Sequence, residues 1–274
     1  MHDGWNKSSF GKWYYFQNGK KVCNTWKKDS NGWCYLGSDG AMVTKDWVKD
    51  TVGWVYLGSN GYQVKDSWVK HIGKWYYVDA NGYMVSNQWR KDSIGWCYLG
   101  SDGAMATNAW VKDSLGWCYV GDNGYAVTNC WKKDSNGWCY LGANGSQVKN
   151  SWVKDNGKWY YLDAKGYMVS NQWRKDSIGW CYLGSDGAMA TNAWVKDSLG
   201  WCYVGDDGYA VTNCWKQDSI GWCYLGSNGS QVKGDWVKYN NQWYYVDSYG
   251  YMVTGDIQIN GTWHSFDENG VWLG

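Results

Sequence analysis

Residues 87–107 read Asn87-Gln88-Trp89-Arg90-Lys91-Asp92-Ser93-Ile94-Gly95-Trp96-Cys97-Tyr98-Leu99-Gly100-Ser101-Asp102-Gly103-Ala104-Met105-Ala106-Thr107, and the whole stretch returns without change at 171–191. Within the segment Trp96-Cys97-Tyr98-Leu99 alternates in the manner of a strand, where residues two apart share a face. The Asp102-Gly103 step that follows is a strong short-range hairpin signal, because such turns need positive φ. Asn-Gly or Asp-Gly steps recur at 60–61, 81–82, 123–124, 144–145, 186–187, 207–208 and 228–229. Glycine at this frequency is unfavourable inside a helix. Each unit therefore reads as a β-hairpin plus a connector, with the hairpin turning at the Asp-Gly step.

Outward from this stretch, the tryptophans fix the period. One series falls at 33, 54, 75, 96, 117, 138, 159, 180, 201, 222 and 243, always 21 apart, with Trp13 and Trp263 one step of 20 beyond either end. A second, connector series holds Trp5 and then 26, 47, 68, 89, 110, 131, 152, 173, 194, 215 and 236. With Trp272 these account for all 26 tryptophans. A longer period overlies the short one: residues 87–150 and 171–234, offset by 84, differ at only five places, Asn123/Asp207, Lys133/Gln217, Asn136/Ile220, Ala143/Ser227 and Asn150/Gly234. A four-repeat block has been duplicated, and no internal boundary or linker is expected. A lone two-stranded hairpin is marginal in water, so the units must bury their apolar faces on one another. The expected architecture is all-β, a solenoid of about thirteen stacked hairpins over residues 1–254, closed by a capping repeat at 255–274.

Composition excludes several functions. The 274 residues carry 26 Lys+Arg against 25 Asp+Glu, too balanced for a phosphate-reading nucleic-acid binder. No run approaches the ~20 apolar residues of a membrane span. The opening Met1-His2-Asp3-Gly4 is not a basic stretch leading into an apolar run, so no signal peptide is expected there. Catalysis is not expected: only His2, His71 and His264 are present, without recurring nucleophile partners. The Lys-Asp-Ser segments at 91–93, 112–114 and 175–177 repeat with the period, as turn-forming aspartates do. Seven cysteines (34, 97, 118, 139, 181, 202, 223) occupy the middle of Trp-x-Tyr triplets, where Tyr14, Tyr76, Tyr160 and Tyr244 stand in other units. They are expected to face the interior as small apolar residues. Cys130–Cys139 and Cys214–Cys223 are the pairs that could bridge, with free thiols the default, and no metal or cofactor site is expected.

The rings have two readings. Aromatic side chains bury much area in a short repeat and serve as core. Yet tryptophan recurs unsubstituted where Leu, Ile or Phe would fill a core, and converging indole faces suit a quaternary ammonium.

The triplets and connectors, as in Gly73-Lys74-Trp75-Tyr76-Tyr77-Val78-Asp79-Ala80-Asn81-Gly82-Tyr83-Met84-Val85, resemble the choline-binding repeats of cell-wall-attached bacterial proteins. The resemblance extends over essentially the whole chain. It implies a left-handed superhelix and a non-catalytic module holding choline or phosphocholine of teichoic or lipoteichoic acid. It also implies a secreted protein on the bacterial cell surface, with room for an adhesin or lysin-regulating role. Each site would take a connector Trp, a strand Trp, a Met and the second Tyr of the next triplet. Carried over, the sets are Trp26, Trp33, Met42, Tyr56; Trp68, Trp75, Met84, Tyr98; Trp89, Trp96, Met105, Tyr119; Trp152, Trp159, Met168, Tyr182; and Trp173, Trp180, Met189, Tyr203. Sets with another residue at the Met position are Trp47, Trp54, Tyr77; Trp110, Trp117, Tyr140; Trp131, Trp138, Tyr161; Trp194, Trp201, Tyr224; and Trp215, Trp222, Tyr245. Alternatives are a glucan-binding repeat, which would need polar side chains beside each ring, and a purely structural stalk.

Overall fold

The computed structural model describes residues 2–198 and 200–274; Met1 of the opening segment lies outside them. Every regular element among the described residues is a β-strand, and no helix is long and apolar enough to cross a membrane. The strands form thirteen small antiparallel sheets, twelve of them two-stranded hairpins and the first a three-stranded sheet.

The hairpin lies on the other side of the Trp-x-Tyr triplet from the side expected. Strand Gln88–Lys91 pairs with Trp96–Leu99, with Trp89 opposite Tyr98 and Lys91 opposite Trp96. The tight turn is Asp92–Gly95, where the Asp92 carboxylate accepts N–H bonds from Ile94 and Gly95. The Asp102-Gly103 step does turn the chain, with Gly103 at φ +77°, but beyond it only an isolated Leu99–Met105 bridge forms. That bridge is flanked by the bonds Gly100 N–H to the Ala104 carbonyl and Ala106 N–H to the Tyr98 carbonyl, both 2.8 Å, while the Met105 N–H points away from it and donates to the Trp75 carbonyl of the preceding hairpin, at 2.7 Å. The "connector" is thus a full strand, and the segment after the Asp-Gly step is the link between hairpins.

That link recurs. Met84 donates to Trp54, Met168 to Trp138, Met189 to Trp159 and Met252 to Trp222, all near 2.8 Å. Each of these hairpins is thereby fixed to the one before it through main-chain bonds. Alternation does the rest: Cys97 and Leu99 are fully buried, while Trp96 on the opposite face is 49% exposed. Leu36, Leu57, Leu99, Leu141, Leu162, Leu183 and Leu225 form a buried row, one per period, continued by Val78, Val120, Val204 and Val246. Fully burying each contributes roughly 1.5–3 kcal/mol. Among the described residues no disulfide is formed. Burial, with the nearby aspartates second, pushes Cys34, Cys97, Cys181 and Cys223 up to about 11, so these remain neutral.

By its internal contacts the chain divides into two compact units, residues 1–130 with 141–147, and 131–140 with 148–274. Each is a succession of such hairpins. At the C-terminus, strands Gly255–Ile259 and Thr262–Phe266 pair with Asp256 opposite Ser265, the place Trp236 holds opposite Tyr245 in the hairpin before. Trp272 then donates its main-chain N–H to the Trp243 carbonyl, taking the place a Met holds elsewhere.

Candidate functional site

The strand register sets the rings. In the hairpin Ser151–Asp155/Lys158–Leu162, Trp152 lies opposite Tyr161 and Lys154 opposite Trp159. The Trp152 and Tyr161 rings meet edge to face with centroids 5.3 Å apart. Lys154 Nζ stands 5.5 Å from the Trp159 ring, which is 44% exposed. The next link brings Met189 up to Trp159, and the following turn brings Asp176. The resulting cleft of about 580 Å³ is lined by Trp152, Trp159, Met189, Asp176, Ile178 and Tyr209 among others.

Asp176 matters for the charge of this cleft. Desolvation alone raises its pKa, but N–H bonds from Ile178 and Gly179 and the Tyr209 hydroxyl outweigh it together and hold the carboxyl below its ordinary value. Tyr209 moves the other way: burial and its bond to Asp176 push it up to about 12, which keeps it a donor. Two indoles, a thioether and an ionised carboxylate therefore surround one space. This arrangement attracts a cation that also needs apolar contact, as a quaternary ammonium does.

The clefts fall into three kinds, distinguished by the residue in the middle of the next triplet and by its bridge partner. In the first kind that middle residue is tyrosine: Tyr76, Tyr160 and Tyr244 meet Trp47, Trp131 and Trp215 with centroids 5.3, 5.0 and 5.1 Å apart. Tyr76 and Tyr160 bridge to alanines, Ala104 and Ala188. In the second kind the middle residue is small and the bridge partner is tyrosine, as in Cys97–Tyr125, Val55–Tyr83 and Cys181–Tyr209. That tyrosine reaches back to a turn aspartate, Tyr125 to Asp92 at 2.9 Å and Tyr62 to Asp29 at 2.9 Å. In the third kind both are small: Cys118 faces Ser146 and Cys202 faces Ser230. The cleft at Trp173 and Trp180, with Ala210, Cys202 and Ser230, holds about 520 Å³, between about 580 Å³ at Trp152 and Trp159 and about 350 Å³ at Trp26 and Trp33 with Gln63 and Tyr83, so the bridge pair sets the lining and not the volume alone.

The indole N–H groups differ too. Trp5 donates to Asp29 and Trp131 to Asp155. Trp89, Trp173 and Trp215 keep theirs buried without an acceptor. At Trp215 the reason is plain, since Tyr239 stands where Asp155 serves Trp131.

The connector and strand tryptophans expected together stand on one hairpin, as Trp89 and Trp96 do, but the residues set beside them shift. Each methionine bonds to the tryptophans one repeat earlier than expected: Met42 to Trp13, Met84 to Trp54, Met105 to Trp75, Met168 to Trp138 and Met189 to Trp159. The pair Trp26 and Trp33 therefore meets Gln63, Trp68 and Trp75 meet Met105, and Trp173 and Trp180 meet Ala210. Tyr56, Tyr98, Tyr119, Tyr182 and Tyr203 each lie edge-on to the connector Trp of their own hairpin, as do Tyr77, Tyr140, Tyr161, Tyr224 and Tyr245. Trp110 and Trp117 belong to the first unit and Tyr140 to the second. Trp194 and Trp201 meet Gln231, and Trp215 and Trp222 meet Met252. Sequence reasoning missed Tyr76, Tyr160 and Tyr244, and the turn aspartates. The signal was present: tyrosine replaces the middle cysteine at 76, 160 and 244, spaced by 84, and Ala104 and Ala188 follow the first two at one and the same offset.

The choline-binding repeat family matches residues 46–89 and 127–173, and a second family of that description matches 167–209. A cell wall binding repeat matches 3–19, 24–42 and 234–252. Choline-binding protein F of Streptococcus pneumoniae is 25% identical over 100% of both chains, with a TM-score of 0.51. CbpJ of the same organism is 24% identical over 98% of this chain and 100% of that one, TM-score 0.51, a likeness of fold. The pneumococcal modular autolysin LytC is 26% identical over 91% of this chain, TM-score 0.41, and the chain spans about half, 52%, of its length. No curated protein matches the chain.

Proposed function

Since the chain belongs to the choline-binding repeat family, we propose that it is a non-catalytic anchor that holds phosphocholine of cell-wall teichoic or lipoteichoic acid in clefts between successive hairpins. The observation that carries this reading is the cleft at Trp152, Trp159 and Met189, where Asp176 is held ionised. A neutral sugar can stack on an indole face but gains nothing from the Asp176 charge, whereas a trimethylated nitrogen gains from the indoles, the thioether and the carboxylate together. The clefts at Trp47, Trp54, Tyr76 and Met84, and at Trp131, Trp138, Tyr160 and Met168, supply three rings each.

Each desolvated cation–π contact is worth roughly 0.5–2 kcal/mol. A few of them against the entropy of binding correspond to about millimolar affinity, near −4 kcal/mol. Repetition supplies the retention: linked sites on a polymeric ligand raise overall affinity by about 10²–10⁴. Residues 1–254 are the binding array in this reading, and 255–274 close it, with Trp272 set against Trp236 at 5.4 Å where a ligand would otherwise enter. A secreted protein at the bacterial surface follows from such a ligand.

The test is retention of the whole chain on a choline-like amine resin. Elution by free choline at millimolar concentration, and not by glucose or salt, is expected. Passage straight through the resin, or release by glucose, would overturn the reading.

A further inference from the structure

The chain has two arginines, Arg90 and Arg174, and both sit directly after a connector tryptophan. That position is lysine or valine in most other repeats, as in Lys27, Val69, Val153 and Lys216. Each guanidinium carbon lies against a tyrosine face, 3.2 Å from the centre of Tyr77 and 3.3 Å from that of Tyr161. Among the described residues neither arginine has an ion-pair partner, and the Nε of each is buried with no acceptor. A buried charged donor left without an acceptor is costly. Each arginine lines a groove, of about 380 Å³ at Arg90 and about 400 Å³ at Arg174, which Lys91 or Lys175 also lines.

We propose that these two grooves are oxyanion sites, and that the group they take is a phosphate ester of the ligand. Arginine suits the task because its planar fork meets two oxygens of one phosphate, where a lysine offers only a point charge. Stacking on tyrosine holds the fork in place before the anion arrives. The acids nearby are largely engaged: Asp79 and Asp163 each accept two turn N–H bonds, Asp66 receives the Tyr77 hydroxyl, and Asp92 and Asp176, whose charges Arg90 and Arg174 also stabilise, each accept two turn N–H bonds and a tyrosine hydroxyl. Asn150 replaces Asp66 in the second groove, which removes one negative charge. The Arg174 site therefore binds anions more tightly than the Arg90 site.

The second groove shares Asn150, Tyr161 and Arg174 with the cleft of Trp152, Trp159 and Met189. A ligand with its ammonium in that cleft has the guanidinium within the same lined space. This tethered form rests on the choline reading above; the anion site itself does not.

Having only two arginines makes the test direct, because the Nε–Hε correlation spectrum of the whole chain holds two signals. Both are expected to move when inorganic phosphate or dimethyl phosphate is added, the Arg174 signal at the lower concentration. R174Q should remove one signal and leave the Arg90 signal in place and still responsive, which also reports that the chain is folded. If one molecule spans cleft and groove, phosphocholine half-saturates at roughly 10-fold lower concentration than dimethyl phosphate. Equal half-saturation places the phosphate on a separate part of the polymer. Signals that stay fixed to tens of millimolar phosphate, or that answer glucose and not phosphate, overturn the proposal. Failure on the amine resin with a phosphate response intact would sink the choline reading and leave the anion sites standing.

Discussion

The clefts closed by Tyr160 and Tyr244 and the clefts floored by Cys118 and Cys202 start from the same two tryptophans and finish differently. In the first, a tyrosine inserted in the middle of the next triplet meets the connector Trp ring and, at Tyr160, faces an alanine, Ala188. In the second, cysteine faces serine and no ring enters from either side of the bridge. Between these lies the Cys181–Tyr209 arrangement, which moves the bulk to the other side of the bridge and ties it to Asp176. Volume across this one bridge is traded, tyrosine with alanine or cysteine with tyrosine, because an interior tolerates neither a clash nor a void cheaply. The lesson is that one backbone carries several clefts of different lining, chosen by two side chains that are distant in sequence and face each other across a single bridge.

The contrast is broken most severely at Tyr244, which is buried against Trp215, Val237 and Val246. Tyr244→Ala is expected to cost about 3–5 kcal/mol, whereas Cys202→Ala costs only about 1 kcal/mol, near one methylene. Because repeat arrays do not unfold in one step, the measurement is local hydrogen exchange in the flanking hairpins. Similar protection loss for both would show that the two kinds of cleft are energetically alike.

Next in size is an exchange of bulk. Ala188→Tyr would set a second ring against Tyr160 and destabilise by about 1–3 kcal/mol. Ser230→Tyr copies the Cys181–Tyr209 pair opposite Cys202, so the fold should be unchanged while a ring joins the lining of the 520 Å³ cleft. Melting curves of the two variants check the first claim, and choline stoichiometry, unchanged for Ser230→Tyr because the Trp152 and Trp159 cleft carries the same pair, checks the second.

Acid should sharpen the charge side of the comparison. Asp29, Asp50, Asp92 and Asp176 are all held below the ordinary carboxylate value, each by turn N–H bonds and a tyrosine hydroxyl working against desolvation. A depressed value in the folded state means their contribution is complete above about pH 4, the unfolded value. It fades as the pH falls through the lower folded value. Retention on the amine resin should therefore hold from pH 7 to 4 and weaken only below. A loss already at pH 5–6 would remove the aspartates from the account. Asp176→Asn should weaken choline a few-fold at its own cleft.

The smallest effect concerns sulfur. Ala210→Met places a thioether beside Trp173 and Trp180, as Met189 stands beside Trp152 and Trp159. Gly229 opposite Ala210 leaves room, as Gly208 does for Met189. A sulfur–aromatic contact is worth about 0.3–1.5 kcal/mol, so this cleft should tighten by roughly 2- to 10-fold, read by calorimetry with choline.

The period, the strands and the buried row Cys97-x-Leu99 were legible in the residues, since periodicity of two and of 21 is a local property. The hairpin side was not, because the Asp102-Gly103 and Asp92–Gly95 turns both look like turns and only one closes a ladder. The cleft linings were half legible. Trp152 and Trp159 stand on one hairpin and could be paired by register alone, but Met189 and Asp176 come from later segments.

The order of aromatic, small and turn residues by itself determined that this chain is a row of hairpins with a tryptophan pair on each, because side-chain alternation and turn chemistry act over a few residues. Which methionine, tyrosine and aspartate close each cleft was decided only by the tertiary structure. The deciding contact is a methionine N–H bonded to a tryptophan carbonyl of the preceding hairpin, as Met105 bonds to Trp75. No local preference encodes that choice; it is set by which donor the neighbouring hairpin leaves an acceptor for.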